Sequence, residues 1–214
     1  MIDIAVVDYG MGNLRSVSKA LEHVATDKKV VVTSNPQDIV EAERVVFPGQ
    51  GAMPDCVREL DSRGLREAVI AAAVTKPFLG ICIGLQLLFD HSEEGNADGL
   101  GVFAGQVQRF VPSEMHDALG HKLKVPHMGW NQVYQAQSHP LWAGIDDGDR
   151  FYYVHSYYVA PQDADLVAGY SDYPKRFTSV VAKDNIFAVQ FHPEKSQHAG
   201  LKLLSNFVQW NGHS

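Results

Sequence analysis

Apolar and polar positions follow different rhythms in the two halves of this chain. In the first half, short apolar runs at residues 2–8, 29–33, 44–47 and 78–81 read as strands. Between them, residues 14–24 carry helical spacing with Val17 and Leu21 on one side. Residues 36–41 read as a short helix, and further helices are predicted around 57–60 and over 65–74, where an alanine run suits close packing. This βαβα order predicts an α/β fold: an open, mostly parallel sheet flanked by helices. The second half is built from short β-rich segments at 105–111, 130–134, 150–154, 166–170, 178–182 and 186–190, separated by turn residues. They are expected to add antiparallel strands to the same sheet, with a helix over 199–210 closing it and residues 112–120 forming an exposed loop. No repeat, linker or low-complexity tract divides the sequence, so residues 1–214 are expected to form one domain.

Candidate chemistry sits at two places in this pattern. The run Gly80-Ile81-Cys82-Ile83-Gly84 lies where an apolar strand gives way to Leu85-Gln86-Leu87-Leu88-Phe89, which reads as the start of a helix. A glycine on each side of the cysteine permits the sharp strand-to-helix turn that holds a nucleophile clear of a sheet. A helix N-terminus there would favour the thiolate. Far downstream runs Gln190-Phe191-His192-Pro193-Glu194. Pro193 disfavours helical backbone at His192, and in an extended segment residues two apart project to the same side. His192 and Glu194 are therefore expected side by side, the carboxylate orienting one ring nitrogen and the other facing the thiol. Singly, each motif is equally a plain turn; together they favour a Cys-His-Glu catalytic constellation. A third segment, Pro48-Gly49-Gln50-Gly51, also follows a strand, and its glycines allow backbone N–H groups to approach an oxyanion. An ordinary strand-to-helix turn is the other reading.

Bulk properties narrow the rest. The net charge of −7 without a basic cluster argues against nucleic acid or an anionic membrane as partner. Two cysteines make no disulfide framework and fit a reducing compartment; Cys56, early in a helix, reads as a packing residue. No apolar run spans a bilayer, and the N-terminal residues, lacking a basic leader, read as a strand, so a cytoplasmic location is expected. His116, His121, His127 and His139 are irregularly spaced, which disfavours a zinc site. Gly10-Met11-Gly12-Asn13-Leu14-Arg15 has Arg15 where a dinucleotide fingerprint needs glycine, and reads as a turn and helix cap.

The residues 80–86 with His192-Pro193-Glu194 resemble those of the class I glutamine amidotransferases. Four further segments resemble the glutaminase subunits of imidazole glycerol phosphate synthase: residues 8–14, Pro126-His127-Met128-Gly129-Trp130-Asn131, residues 152–157, and the extension through Lys195-Ser196. The resemblance implies glutamine hydrolysis without cofactor or metal, through Cys82, His192 and Glu194. It implies an oxyanion site at the N–H groups of Ile83 and Gln50, and glutamine contacts at Gly49, Gly51, Gln86, Glu94, Ser156 and Tyr157. Gln86 also lies four residues after Cys82, on the same face of the expected helix. Asn13, Trp130, Tyr152 and Lys195 match positions facing a (β/α)₈ cyclase subunit, the heterodimer partner that would receive the ammonia. Gln50 departs from the branched apolar residue common in that loop, and low activity without the partner is expected. Supply of ammonia to an anthranilate or pyridoxal phosphate synthase is disfavoured by residues 128–131 and 195–196. A cysteine peptidase and a non-catalytic regulator are the more distant alternatives.

Overall fold

The computed structural model describes residues 2–117 and 119–213. Met1 and Ser214, the ends of the expected domain, and Ala118 in the expected 112–120 loop lie outside the described residues. The first half supplies strands β1 (Ile4–Val7), β2 (Val30–Thr33), β3 (Arg44–Gly49) and β4 (Phe78–Cys82). Helices α1 (Leu14–Val24), α2 (Pro36–Glu41), α3 (Met53–Ser62), α4 (Arg66–Thr75) and the single turn α5 (Ile83–Gln86) lie between or after them. The second half holds β5 (Phe89–Ser92), β6 (Ala97–Asp98), β7 (Phe103–Arg109), β8 (His127–Gln132), β9 (Tyr134–Gln135) and β10 (Arg150–His155). It continues through β11 (Tyr157–Pro161), β12 (Val167–Asp172), β13 (Arg176–Lys183) and β14 (Ile186–Val189) to helix α6 (Gln197–Gln209).

One sheet runs β2-β1-β3-β4-β14-β13-β11-β7-β5-β6, with β12 and β9 branching from β13. Its β2-β1-β3-β4-β14 portion is wholly parallel. β1, β4 and β14 are buried along their whole length, as strands covered on both faces must be. Helices pack as pairs against it, α1 with α6 and α2 with α4. Because β3, β4 and β14 run the same way, their carboxyl ends share one edge, where an open sheet places a ligand.

Three expectations need correction. Residues 130–132 and the segment at 150–154 do not extend the main sheet, which Tyr134 joins through β9; β8 and β10 pair with each other as a separate antiparallel ladder, Trp130 opposite Tyr152 and His127 opposite His155. Alternation of side chains marks a strand, yet carries no information about which strand it joins. The helix expected over 85–89 stops after one turn, and Phe89 enters β5. Leu85, Leu87, Leu88 and Phe89 are all fully buried, so this run has no polar face with which to lie on the surface. The helix around 57–60 extends over Met53–Ser62.

Candidate active site

Cys82 ends β4 at φ 56°, ψ −109°, a backbone conformation that residues with a side chain rarely adopt. The flanking glycines make it possible. A Cβ on Gly84 would overlap the Phe47 carbonyl oxygen, and one on Gly80 would stand 2.9 Å from Ala188 Cβ. β3 and β14 thus press directly against the turn from both sides. Since α5 is one turn long, it adds little dipole to the thiol.

His192 follows β14 and is buried with its partner Glu194 (2% and 1% side-chain exposure); His192 Nδ1 donates to Glu194 Oε1 at 2.9 Å. Their pairing arises differently from the extended segment expected. His192 itself is extended at φ −105°, ψ 95°, but Pro193–Lys195 forms a 3₁₀ turn. Proline suits the first position of such a turn because its fixed φ is already helical and its missing N–H would go unused. The His192 carbonyl accepts from Lys195 N at 3.0 Å and from Ser196 Oγ at 2.6 Å, curling Glu194 back to the ring. The turn is tied to β10, where His192 N donates to the Tyr152 carbonyl at 2.9 Å and Tyr152 N donates to Ser196 Oγ at 2.9 Å.

The second ring nitrogen, Nε2, is buried without a partner that meets hydrogen-bond geometry. Burial works against a charged ring, but interactions with the Cys82 sulfur and the Glu194 carboxylate outweigh it and raise His192 to about 10. Catalytic contacts of this kind commonly align fully once substrate is bound. Gln190, fully buried, donates its Nε2 to Cys82 Sγ at 3.7 Å. Gln190 belongs to the 190–194 motif but carries no role legible from the sequence alone; its only local signal is a polar amide two residues before the histidine.

A cavity of about 420 Å³ joins most of the candidate residues: Gln50, Gly51, Cys82, Ile83, Gln86, Glu94, Ser156, Tyr157, His192 and Lys195 line it. His155, Val154 and Pro126, given no role from sequence, also form its wall. Gly49 does not line it; it ends β3 paired to Cys82, and a Cβ there would overlap the Tyr9 hydroxyl. The adjoining loop is held from below by Cys56, whose Sγ donates to the Gln50 carbonyl at 3.4 Å. Burial pushes that thiol up to about 11, keeping the donor protonated. Gln86 Nε2 donates to the Tyr157 carbonyl at 3.1 Å, while its buried Oε1 has no protein partner. Glu94 Oε2 accepts from Met53 N at 2.8 Å, capping the start of α3. Three candidates lie away from the cavity. Asn13 caps α1, its Oδ1 accepting from Ser16 N at 3.3 Å, and the Trp130 and Tyr152 rings meet edge-on with centroids 6.0 Å apart.

Comparison with known proteins identifies the family. The family described as glutamine amidotransferase class-I matches residues 5–210, and the chain belongs to that family. Solved structures support the fold: a glutamine amidotransferase superposes with a TM-score of 0.69 at 15% identity, covering 96% of this chain and 99% of that one. A putative GMP synthase protein from Thermoplasma acidophilum gives 0.68 at 19% identity, covering 98% and 93%. More similar in sequence are the imidazole glycerol phosphate synthase HisH subunits of Nitrosospira multiformis, 69% identical over 98% of this chain and 99% of that protein, and Thiobacillus denitrificans, 68% identical over 98% and 92%. Within the class, the chain belongs with the HisH subunits. None of the described helices is long and apolar enough to cross a membrane.

Proposed function

We propose that this chain hydrolyses glutamine to glutamate and ammonia through Cys82, His192 and Glu194, and delivers the ammonia to a (β/α)₈ cyclase subunit. One observation carries the reading: Cys82, on its constrained turn, lines the same cavity as His192, whose far nitrogen is held by Glu194. The Cys82 sulfur attacks the side-chain amide carbon, and the oxyanion is received by the N–H groups of Ile83 and Gln50. His192 gives a proton to the departing ammonia, leaving a glutamyl thioester. It then takes a proton from water, which attacks the thioester; glutamate leaves and the sulfur is restored.

The cavity suits a free amino acid. Glu94 and Lys195 bring one charge of each sign to its wall, matching an ammonium and a carboxylate. The unpartnered Gln86 Oε1 is an acceptor for substrate N–H groups. Gly51, Ser156 and Tyr157 supply further wall contacts, and Gly49 acts by shaping the loop. The partner face would comprise Asn13, Trp130 and Tyr152, with Lys195 at its inner margin. Met128 and Trp130 are 62% and 42% exposed, and an exposed indole is a common interface anchor. The cyclase would use the ammonia to make imidazole glycerol phosphate and aminoimidazole carboxamide ribotide in histidine biosynthesis, in the cytoplasm. The test is glutamate release by the purified chain, alone and mixed with cyclase and its ligand. Low turnover that rises on mixing supports the proposal; equal turnover refutes coupling, and none in either refutes the hydrolysis.

A further inference from the structure

The segment Pro126–Asn131 distinguished this chain in sequence, but glutamine hydrolysis as described gives His127 and Asn131 no task. Both occupy the face of β8 opposite to Met128 and Trp130, following the alternation of a strand. His127 stands directly across from His155 of β10, and the two buried rings meet with His127 Nδ1 2.9 Å from His155 Nε2. Asn131 Nδ2 lies 3.4 Å from His127 Nε2, and His155 Nδ1 lies 2.8 Å from the Tyr157 carbonyl oxygen. That oxygen also accepts from Gln86 Nε2, which donates in addition to Gln190 Oε1 at 3.0 Å. Gln190 Nε2 then reaches the Cys82 sulfur at 3.7 Å. Seven residues thus connect the inner face of β8 to the nucleophile without a break.

The direction of every bond in this chain is fixed. A carbonyl oxygen accepts and never donates, so His155 donates from Nδ1. Burial lowers His155 to about 3 and His127 to about 4, so each ring is neutral at pH 7 and carries one N–H. His155 Nε2 is then bare and accepts from His127 Nδ1. His127 Nε2 is bare in turn and faces the Asn131 amide N–H₂, whose other proton goes to the Asp172 carbonyl at 3.0 Å. Asn131 Oδ1 accepts from Gln132 N at 2.8 Å, which settles the orientation of that amide. At the opposite end, Gln86 presents N–H to Gln190 Oε1, forcing Gln190 to turn its own N–H₂ toward sulfur. Within this network only Gln86 Oε1 is left without a protein partner, and the donor and acceptor at each of the other links define one arrangement.

We propose that Gln190 holds and stabilises the Cys82 thiolate by direct hydrogen bonding, and that the His127–His155 pair acts as its positioning element through the Tyr157 carbonyl and Gln86. The inference rests on Cys82 being the nucleophile. It extends the functional constellation to a neutral donor on the sulfur and to two histidines that never touch substrate. The titratable groups acting around Cys82 are His192 with Glu194 behind it, and Tyr9 and Cys56 beneath the 49–51 loop; Gln190 is the uncharged member of that surround.

The test is the rate of Cys82 alkylation by iodoacetamide in the full chain without substrate, followed by peptide mass spectrometry so that Cys56 is counted separately. Gln190→Leu is expected to slow Cys82 alkylation at pH 7 by about tenfold and to move the rate profile to higher pH, as loss of one hydrogen bond to a charged atom predicts. His127→Phe should slow it by about threefold through misplacement of the same amide, and Gln132→Ala, on the outer face of β8, should leave it unchanged. Lower thermal stability in the inner-face variants with unaltered alkylation profiles would show a structural role and overturn the proposal. If those variants do not fold, ¹⁵N spectra of the unmodified chain decide: neutral Nδ1–H forms at His127 and His155 support the chain, and an Nε2–H form at either overturns it. Slow Cys82 alkylation in the unmodified chain, no faster than at Cys56, would instead sink the nucleophile reading beneath it.

Discussion

The parallel strands β3, β4 and β14 and the antiparallel pair β8–β10 both bring residues to the cavity, by different physical means. At the parallel edge, position is set by backbone: Cys82 is forced into its turn by contacts so close that Gly80 and Gly84 admit no side chain. In the β8–β10 ladder, position is set by side-chain hydrogen bonds, with His127, His155 and Asn131 inside and Met128 and Trp130 outside. A buried parallel core gives a rigid seat for reacting atoms. A two-stranded ladder has little stability of its own and takes its shape from what it touches. Under the proposed function the chemistry would sit on the stiff part and the docking face on the adaptable one, with the Tyr152–His192 and Tyr152–Ser196 bonds joining them.

Glycine substitutions probe the two regions most severely. Gly84→Ala, which drives a methyl into the Phe47 carbonyl, should destabilise the chain by roughly 3 kcal/mol or more and lower Tm by about 10 °C. Gly129→Ala in β8 meets nothing within 4 Å, so its penalty is confined to the backbone strain of φ 130°, about 1 kcal/mol. Equal losses of Tm, followed by circular dichroism, would erase the distinction between rigid edge and adaptable ladder.

Mild acid comes next. Burial lowers His127, His139 and His155 to between about 3 and about 4. The unfolded chain therefore binds protons first as pH falls below the ordinary histidine value of about 6.5. Their contribution is complete above about 6.5 and is lost as pH falls toward 4, with an expected Tm decrease on the order of 10 °C. His192 has the opposite sign: raised to about 10, it stabilises fully below about 6.5 and loses that effect as pH rises through 10. Scanning Tm against pH should show the acid loss shrink in His127→Phe; an unchanged acid limb would mean that the ladder histidines are not buried neutral.

The smallest effect on the chain itself is expected at Trp130. Trp130→Ala should shift Tm by no more than about 2 °C, yet weaken binding of the cyclase subunit by about tenfold. Titration calorimetry with the purified partner measures both the affinity and its loss.

Much of the architecture was legible because parallel strands announce themselves as unbroken apolar runs, and because Asn13 and Pro36 mark the starts of α1 and α2. The glycines around Cys82 likewise pointed to the turn, since few other residues survive in it. The partner of each second-half strand was hidden, because alternation in 127–132 and 150–155 fits any antiparallel neighbour. The shortness of α5 was missed because the apolar run around it has no period to read, and β5 because Phe89-Asp90-His91-Ser92 holds a single apolar residue. Gln190, His127 and His155 escaped for another reason: their significance lies in bonds between residues far apart in sequence, with His127 and His155 separated by 28 positions and Gln190 and Cys82 by 108. No local pattern encodes those meetings.

Everything proposed for this chain requires that the sulfur of Cys82 and the ring of His192 work as a pair. Intact-protein and peptide mass spectrometry after exposure to a glutamine-like electrophile reads that pairing without a partner or a coupled assay. One adduct per chain is expected, on Cys82 and not Cys56, with labelling slowed by at least about a hundredfold in His192→Ala. Equal labelling of the two cysteines, or labelling of Cys82 indifferent to the loss of His192, would refute the pairing.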